Sequence, residues 1–309
     1  MTTPILRRRA ARTARCATAL LLSGCGAQDL ANTWELDRLR VLAIAAEPAE
    51  LRPGETTALR SLVYVPTGAT FGTGIWVGCL PSAADSFGCG GDSSALESLA
   101  ELDPATATPE ELAAALETAR EAGLLGLDPF FPPTWTAPTD ALDGLDPRQQ
   151  AEGISAVINL TVTEGERADG ADPDLELVYK RVPVSVSPTP NHNPAIAGWL
   201  VDGEPWSESE GPLPVQSGAT LSIEPVLSAD SLEAYTYENT AGEVEDREEE
   251  PYFTWFTEAG DFDQALSLYP EVAVEWTAPK ALDSEALIVA VARDRRGGMA
   301  WRTLQVVVQ

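Results

Sequence analysis

The chain is poor in the side chains that most often do chemistry. Its 309 residues hold one histidine, two methionines and four cysteines, against 48 acidic and 20 basic residues. General acid–base catalysis draws most often on histidine, and the single His192 sits between Asn191 and Asn193 in a proline-rich stretch with no evident partner. It reads as a surface side chain. No Gly-x-Ser-x-Gly, His-Glu-x-x-His or glycine-rich phosphate loop occurs. No apolar run reaches the roughly 20 residues that span a bilayer. The formal charge of −28 repels nucleic acid and anionic lipid and keeps the chain soluble.

Acidic residues are themselves missing from the beginning. Arg7, Arg8, Arg9, Arg12 and Arg15 precede the first acid, Asp29, and a short apolar run from Cys16 to Leu22 leads into small residues. That order is the n-region, h-region and cleavage site of a secretory signal. The tetrad Leu22-Ser23-Gly24-Cys25 resembles the bacterial lipobox. The resemblance implies that the Cys25 thiol receives diacylglycerol, that cleavage falls before it, and that its amine is then acylated. Two or three acyl chains anchor durably where one does not. Gly26 follows instead of the aspartate of the inner-membrane retention signal, so the expected destination is the outer membrane. Loss of residues 1–24 removes five arginines and no acid, leaving 15 basic against 48 acidic residues.

Processing leaves two cysteines, Cys79 and Cys89, in WVGCLPSAADSFGCGG. In an exported chain they are expected to form one structural disulfide. Zinc would need more ligands, and a redox pair would want Cys-x-x-Cys. Two acidic groups are calcium candidates, since calcium takes several oxygen ligands from flexible loops. Asp169, Asp172, Asp174 and Glu176 form one, and Asp140, Asp143 and Asp146 the other. Neither follows the EF-hand pattern, which favours solvated loops and assigns no metal. The run GEVEDREEEP, 242–251, is expected to repel itself into a mobile loop. No cofactor is expected.

The mature chain is long enough for about two domains. After a tether over 25–37 come strands at Leu39–Ala45 and Thr56–Val65 around the Pro53-Gly54 turn, and a third at Gly74–Cys79 carrying Trp76. Thr108-Pro109-Glu110-Glu111 reads as a capped helix start, with Leu112, Ala115, Leu116 and Ala119 on one face. The Pro- and aromatic-rich stretch with Phe130, Phe131 and Trp135 is expected to be an ordered loop. Strands resume at Ile154–Val162 and Leu175–Val186. A first sandwich thus covers 38–187, with a helical insertion at about 81–150. Residues 188–195 form a linker stiffened by Pro188, Pro190 and Pro194, implying few contacts shared across it. A second sandwich covers 196–309, with strands at Ile196–Val201, Ala219–Pro225, Tyr252–Thr257, Val272–Trp276, Ala286–Arg293 and Met299–Val308.

The stretches YFTWFTEAGDF, VAVEWTAP and ALIVAVARDRRGGMAW resemble the C-terminal half of PKD and related Ig-like modules of bacterial surface proteins. They are also similar to lipoproteins of myxobacteria and their relatives, which end in an Arg-Asp-x-Arg-Gly-Gly-x-x-Trp hairpin. These motifs are structural, so the resemblance implies fold and not activity. The fold class expected is all-β, two Ig-like sandwiches behind a lipoprotein signal. The function expected is a lipid-anchored, non-enzymatic binding or structural module of the cell envelope, with a protein or glycan partner. The alternative is a surface hydrolase or carbohydrate-binding protein whose carboxylate-lined site lies in the 81–150 insertion.

Overall fold

In the first half, β1 (Arg40–Glu47) and β2 (Thr56–Tyr64) pair antiparallel across the Pro53-Gly54 turn, where Gly54 takes a φ of +85°. Opposite them β3 (Ala69–Cys79) pairs with β6 (Ile154–Arg167), and β6 with β7 (Leu175–Val184). The computed structural model of the chain describes residues 32–81, 108–238, 242–281 and 284–309. The inward positions of these strands alternate, as a half-buried pleat requires, and bury Ile44, Leu59, Trp76, Ile158, Leu160 and Val182 in one cluster. Trp76 is fully buried, and its indole N–H donates to Asp128 at 2.7 Å, so burying the ring leaves no polar atom unpaired.

The insertion differs from expectation. Its helix, α1 (Pro109–Glu121), starts as read, with Thr108 and Glu111 closing a reciprocal capping box. The aromatic stretch after it, however, supplies a strand to each sheet. β4 (Leu124–Asp128) pairs with β3, and β5 (Thr134–Thr136) pairs with β2. Trp135 points into the core from β5. A Cβ on Gly126 would lie 2.5 Å from Pro133 Cα, so only glycine lets the chain cross this closely between the sheets. The pieces are too short, and too interrupted by proline, to read as period-two runs. A one-and-a-half-turn helix, α2 (Pro147–Glu152), follows with Asp146 as its cap.

The second half contains β8 (Ile196–Val201), β9 (Glu204–Trp206), β10 (Leu213–Val215), β11 (Thr220–Leu227), β12 (Ala234–Glu238), β13 (Val244–Glu248) and β14 (Tyr252–Thr257). These are followed by β15 (Asp261–Phe262), β16 (Leu266–Leu268), β17 (Val274–Thr277), β18 (Ser284–Arg293) and β19 (Met299–Val308). One sheet runs β10-β19-β18-β14-β16 and the other β15-β17-β11-β8-β9. Trp199, Trp255 and Trp276 fill the space between them, with Phe253, Ile288 and Leu304.

The two halves repeat one plan. The first pairs β1-β2-β5 against β4-β3-β6-β7, and the second pairs β8-β11-β17 against β16-β14-β18-β19. In each, a segment runs parallel to the last strand: Leu51 beside Val184, and β10 beside β19. A fully buried tryptophan stands at the same place in each, Trp76 on β3 and Trp255 on β14.

The acidic run at 242–251 is a second departure. β13 pairs with β12 as a two-stranded arm, Tyr235 opposite Arg247 and Tyr237 opposite Glu245. Repulsion is relieved by alternation: Glu245 lies 2.7 Å from Arg247, while Glu249 turns inward to Arg296.

The third departure concerns the contact between halves. Residues Thr33–Gln309 form one compact unit. Leu36, Leu42, Ala43, Phe256, Val289 and Val291 make a cluster of their own between the two halves, with Leu62, Tyr64, Met299 and Trp301 packed against it. Trp301, on β19, lies in this seam with the Arg60 guanidinium 4.3 Å from the centre of its ring. The end of the expected tether is also packed. Leu36 N–H donates to Thr257 O and Thr257 N–H to Trp34 O, both at 2.9 Å. Trp34 and Leu36 flank Glu35 with strand spacing, and that pattern pairs with the edge of β14.

Candidate functional site

The polar centre of the molecule is built on the turn Asp294-Arg295-Arg296-Gly297-Gly298 that joins β18 to β19. Asp294 is 2% exposed. Its Oδ1 accepts the backbone N–H groups of Arg296 at 2.8 Å and of Gly297 and Gly298 at 2.9 Å, and its Oδ2 accepts Asn191 Nδ2 at 2.9 Å. The glycines expected for this hairpin are explained by that nest. Gly297 has a φ of +121°, and a Cβ on Gly298 would stand 1.9 Å from Asp294 Oδ2 and 2.7 Å from His192 O.

Arg296 radiates from the same turn. Its guanidinium meets Glu249 at 3.0 Å, Glu233 at 3.4 Å and Glu50 at 3.9 Å, donates to Thr189 O at 2.7 Å, and lies 4.5 Å from the centre of the Tyr235 ring. Glu50 comes from the first half, where it accepts Ser185 Oγ, and it also accepts Asn191 N–H at 2.7 Å. Lys180 on β7 donates to Gly297 O. Asn193 donates to Ala46 O at 2.7 Å and accepts Met299 N–H at 2.8 Å. The segment 188–195, expected to be a linker with few shared contacts, is therefore bonded on both sides. Its prolines give stiffness, while Asn191 and Asn193 supply the donors and acceptors that join the halves.

Burial shapes the charges here. Desolvation, with the Asp294 charge added, pushes the Glu249 carboxyl up to about 7, although Arg296 pulls the other way. Desolvation lowers the Lys180 ammonium to about 8, and Asp294 offsets part of that. His192, expected to have no partner, sets Nδ1 2.5 Å from Glu233 Oε1.

Beside this hub opens a cleft of about 510 Å³, walled by α2 and the start of β6 on one side and by the β12–β13 arm on the other. Tyr235, Tyr237, Ile154, Pro183 and Pro188 line it, together with Arg296 and Glu50. Arg148 reaches Glu152 at 2.9 Å on its own wall and Glu238 at 3.3 Å on the other. The carboxylates lining the cleft are thus held in ion pairs or hydrogen bonds, an arrangement suited to binding.

The residues singled out in the sequence lie elsewhere. Cys25 and Cys89 fall outside the described residues, and Cys79 ends β3. The calcium candidates do not converge. Asp169 pairs with Arg167 at 3.2 Å, which holds its carboxyl down to about 2, and Glu176 accepts Val41 N–H. Asp174 offers its backbone N–H to Glu164 at 3.1 Å, while Asp172 is exposed. Asp146 is a helix cap. Among the described residues no group of three or more His, Cys, Asp or Glu is placed to hold a metal ion. In the insertion, Phe130 is 73% exposed while Trp135 is buried, so its aromatics do not gather at one site. Sequence reading missed Glu50, Tyr235 and Arg296. The one available signal was the pairing of an Asn-His-Asn segment with an Asp-x-x-Gly-Gly turn, both rich in backbone-binding groups.

No protein-family model matches the chain, and no curated protein matches it. Among solved structures, it is similar to one described as fibronectin(III)-like modules of CbhA from Clostridium thermocellum, at 8% identity over 86% of this chain and 94% of that one, with a TM-score of 0.22. A score at that level carries no argument. The all-β assignment rests on the strands and sheet orders themselves.

Proposed function

We propose that this chain is a lipid-anchored protein of the cell envelope, a non-enzymatic module that binds or braces a partner. In this reading residues 1–24 are a signal peptide, Cys25 is acylated, and two Ig-like sandwiches of the PKD kind stand off the outer membrane behind a short spacer. The repeated strand order, with a core tryptophan on the third strand of each half, supports the Ig-like assignment, since such sandwiches carry a buried tryptophan there. That Cys79 is a disulfide cysteine supports its bridge to Cys89.

The observation that carries the reading is the polar junction. Glu50, from the first half, accepts the Asn191 N–H and lies 3.9 Å from Arg296, and Asn191 donates in turn to Asp294, so these groups join the halves. The joined halves present a cleft whose ionisable groups are already paired. A catalytic centre needs an acid or base free to exchange a proton with a reacting group. Labelled palmitate is expected to enter the wild-type chain and not Cys25→Ser, and only the wild type should fractionate with membranes. Equal release of both into the soluble periplasm overturns the proposal.

A further inference from the structure

Resting on that reading of the chain as a binding module, we propose that the cleft between the β12–β13 arm and α2 binds a neutral oligosaccharide. Its volume, about 510 Å³, falls in the range of small-ligand sites. Residues two apart on a strand face the same way, so Tyr235 and Tyr237 set two rings in a row along one wall. Each ring is steadied by a guanidinium, Arg296 at 4.5 Å from Tyr235 and Arg247 at 4.1 Å from Tyr237. Tyr237 is 41% exposed. Across from them, Ile154, Pro183 and Pro188 give rigid apolar surface. A pyranose ring offers apolar C–H faces to such walls and hydroxyls at its rim.

The charges select among ligand classes. Arg148 spans the cleft between Glu152 and Glu238, and Arg296 is ringed by Glu50, Glu233 and Glu249. A charged ligand would have to displace one member of these pairs, and an anion would meet a mature chain with 15 basic against 48 acidic residues. Hydroxyls accept from guanidinium and donate to carboxylate at once, so a neutral sugar adds hydrogen bonds without breaking the pairs. Charge-assisted bonds of this kind are the stronger ones.

A second observation comes from the segment that leads from the cleft, at Ser187 and Pro188, into a neighbouring hollow. Asn191, 1% exposed, and Thr189 each bury a side-chain oxygen with no hydrogen-bond partner, Oδ1 and Oγ1. Asn191 lines an adjoining hollow of about 260 Å³ that shares Glu50 and Ser187 with the main cleft. A buried acceptor left unpaired costs free energy that a donating hydroxyl recovers. Of the two, Asn191 belongs to the lining of that hollow, so its Oδ1 is the one that a hydroxyl bound there would satisfy.

The test uses the full lipoprotein in a detergent without a sugar headgroup, titrated calorimetrically. The probes are β-1,4-linked tetramers of glucose and of N-acetylglucosamine, with a galacturonate tetramer as the anionic comparison and tetra-arginine as the cationic one. At least one neutral tetramer should bind, and more tightly than either charged probe. Tyr237→Ala should weaken it tenfold or more. Tyr237→Leu, which keeps apolar bulk on the arm, should weaken it similarly with the melting curve unchanged. Tyr179→Ala, at an exposed tyrosine on β7 outside the cleft, should leave binding intact. Failure of both neutral tetramers to bind, tighter binding of a charged probe, or indifference to both Tyr237 variants overturns the assignment. Those results would leave the palmitate outcome untouched, so the cleft and the anchored reading fail separately.

Discussion

Replacing Asp294 by alanine removes one buried carboxylate that accepts four hydrogen bonds, at 2.8, 2.9, 2.9 and 2.9 Å. Hydrogen bonds to a charged group contribute about 1.5–3 kcal/mol each, but bonds that share one acceptor do not add. Two opposing effects enter. Loss of Asp294 takes from Lys180 the charge that offsets its desolvation, and relieves Glu249 of a like charge. Breaking a buried charged network from one side costs about 3–5 kcal/mol in general, so Asp294→Ala should lose about 4 kcal/mol. That is a large part of the 5–15 kcal/mol typical of a folded protein. Asp294→Asn keeps one acceptor oxygen for the turn and should lose about half as much. Urea unfolding followed by fluorescence of the eight tryptophans reads both values. A loss below about 1 kcal/mol for Asp294→Ala, with the slope unchanged, would refute the view that this carboxylate organises the junction.

Gly298→Ala should cost about 2–3 kcal/mol, because its Cβ would collide with Asp294 Oδ2 in the turn and with the backbone His192 O of the joining segment; the same urea titration measures it. The folded chain holds the Glu249 proton up to about 7 against an ordinary 4.5, so stability should fall as pH rises through that interval. Lys180 loses its proton near 8 against an ordinary 10.5, so the unfolded chain binds more protons in that window and stability should rise with pH across it. Glu249→Gln and Lys180→Met should each flatten its own limb of the urea-midpoint profile. Removing 299–309 deletes the partner of β18 along its whole length and takes Met299 and Trp301 out of the seam. Limited proteolysis should then cut both halves, and a first half that stays resistant would contradict the shared core.

Strands built on largely apolar runs of six or more residues were legible in the sequence. Ile196–Val201, Tyr252–Thr257 and Met299–Val308 have the bounds read from their pattern. The start of α1 was equally plain, because Thr108, Pro109 and Glu111 act within one turn. β4 and β5 were hidden because each is short and bounded by proline, so neither sustains a period. β13 was hidden by composition, since a run of acids reads as repulsive until its own Arg247 pairs with Glu245 and Arg295 and Arg296 are brought beside it. The junction was the least legible part. Glu50, Lys180, Asn191, Glu249 and Arg296 come from distant parts of the chain, and only the packing of the halves places them together. Counting prolines in 188–195 spoke to stiffness and said nothing of what the asparagines bond.

A polar hub and an apolar seam join the two halves into one compact unit that presents the cleft. Scanning calorimetry of the full chain tests this most directly. It should give a single transition whose calorimetric and van't Hoff enthalpies agree, and Asp294→Ala should move that one transition down without splitting it. Two separable transitions in the wild type, one for each half, would contradict the account.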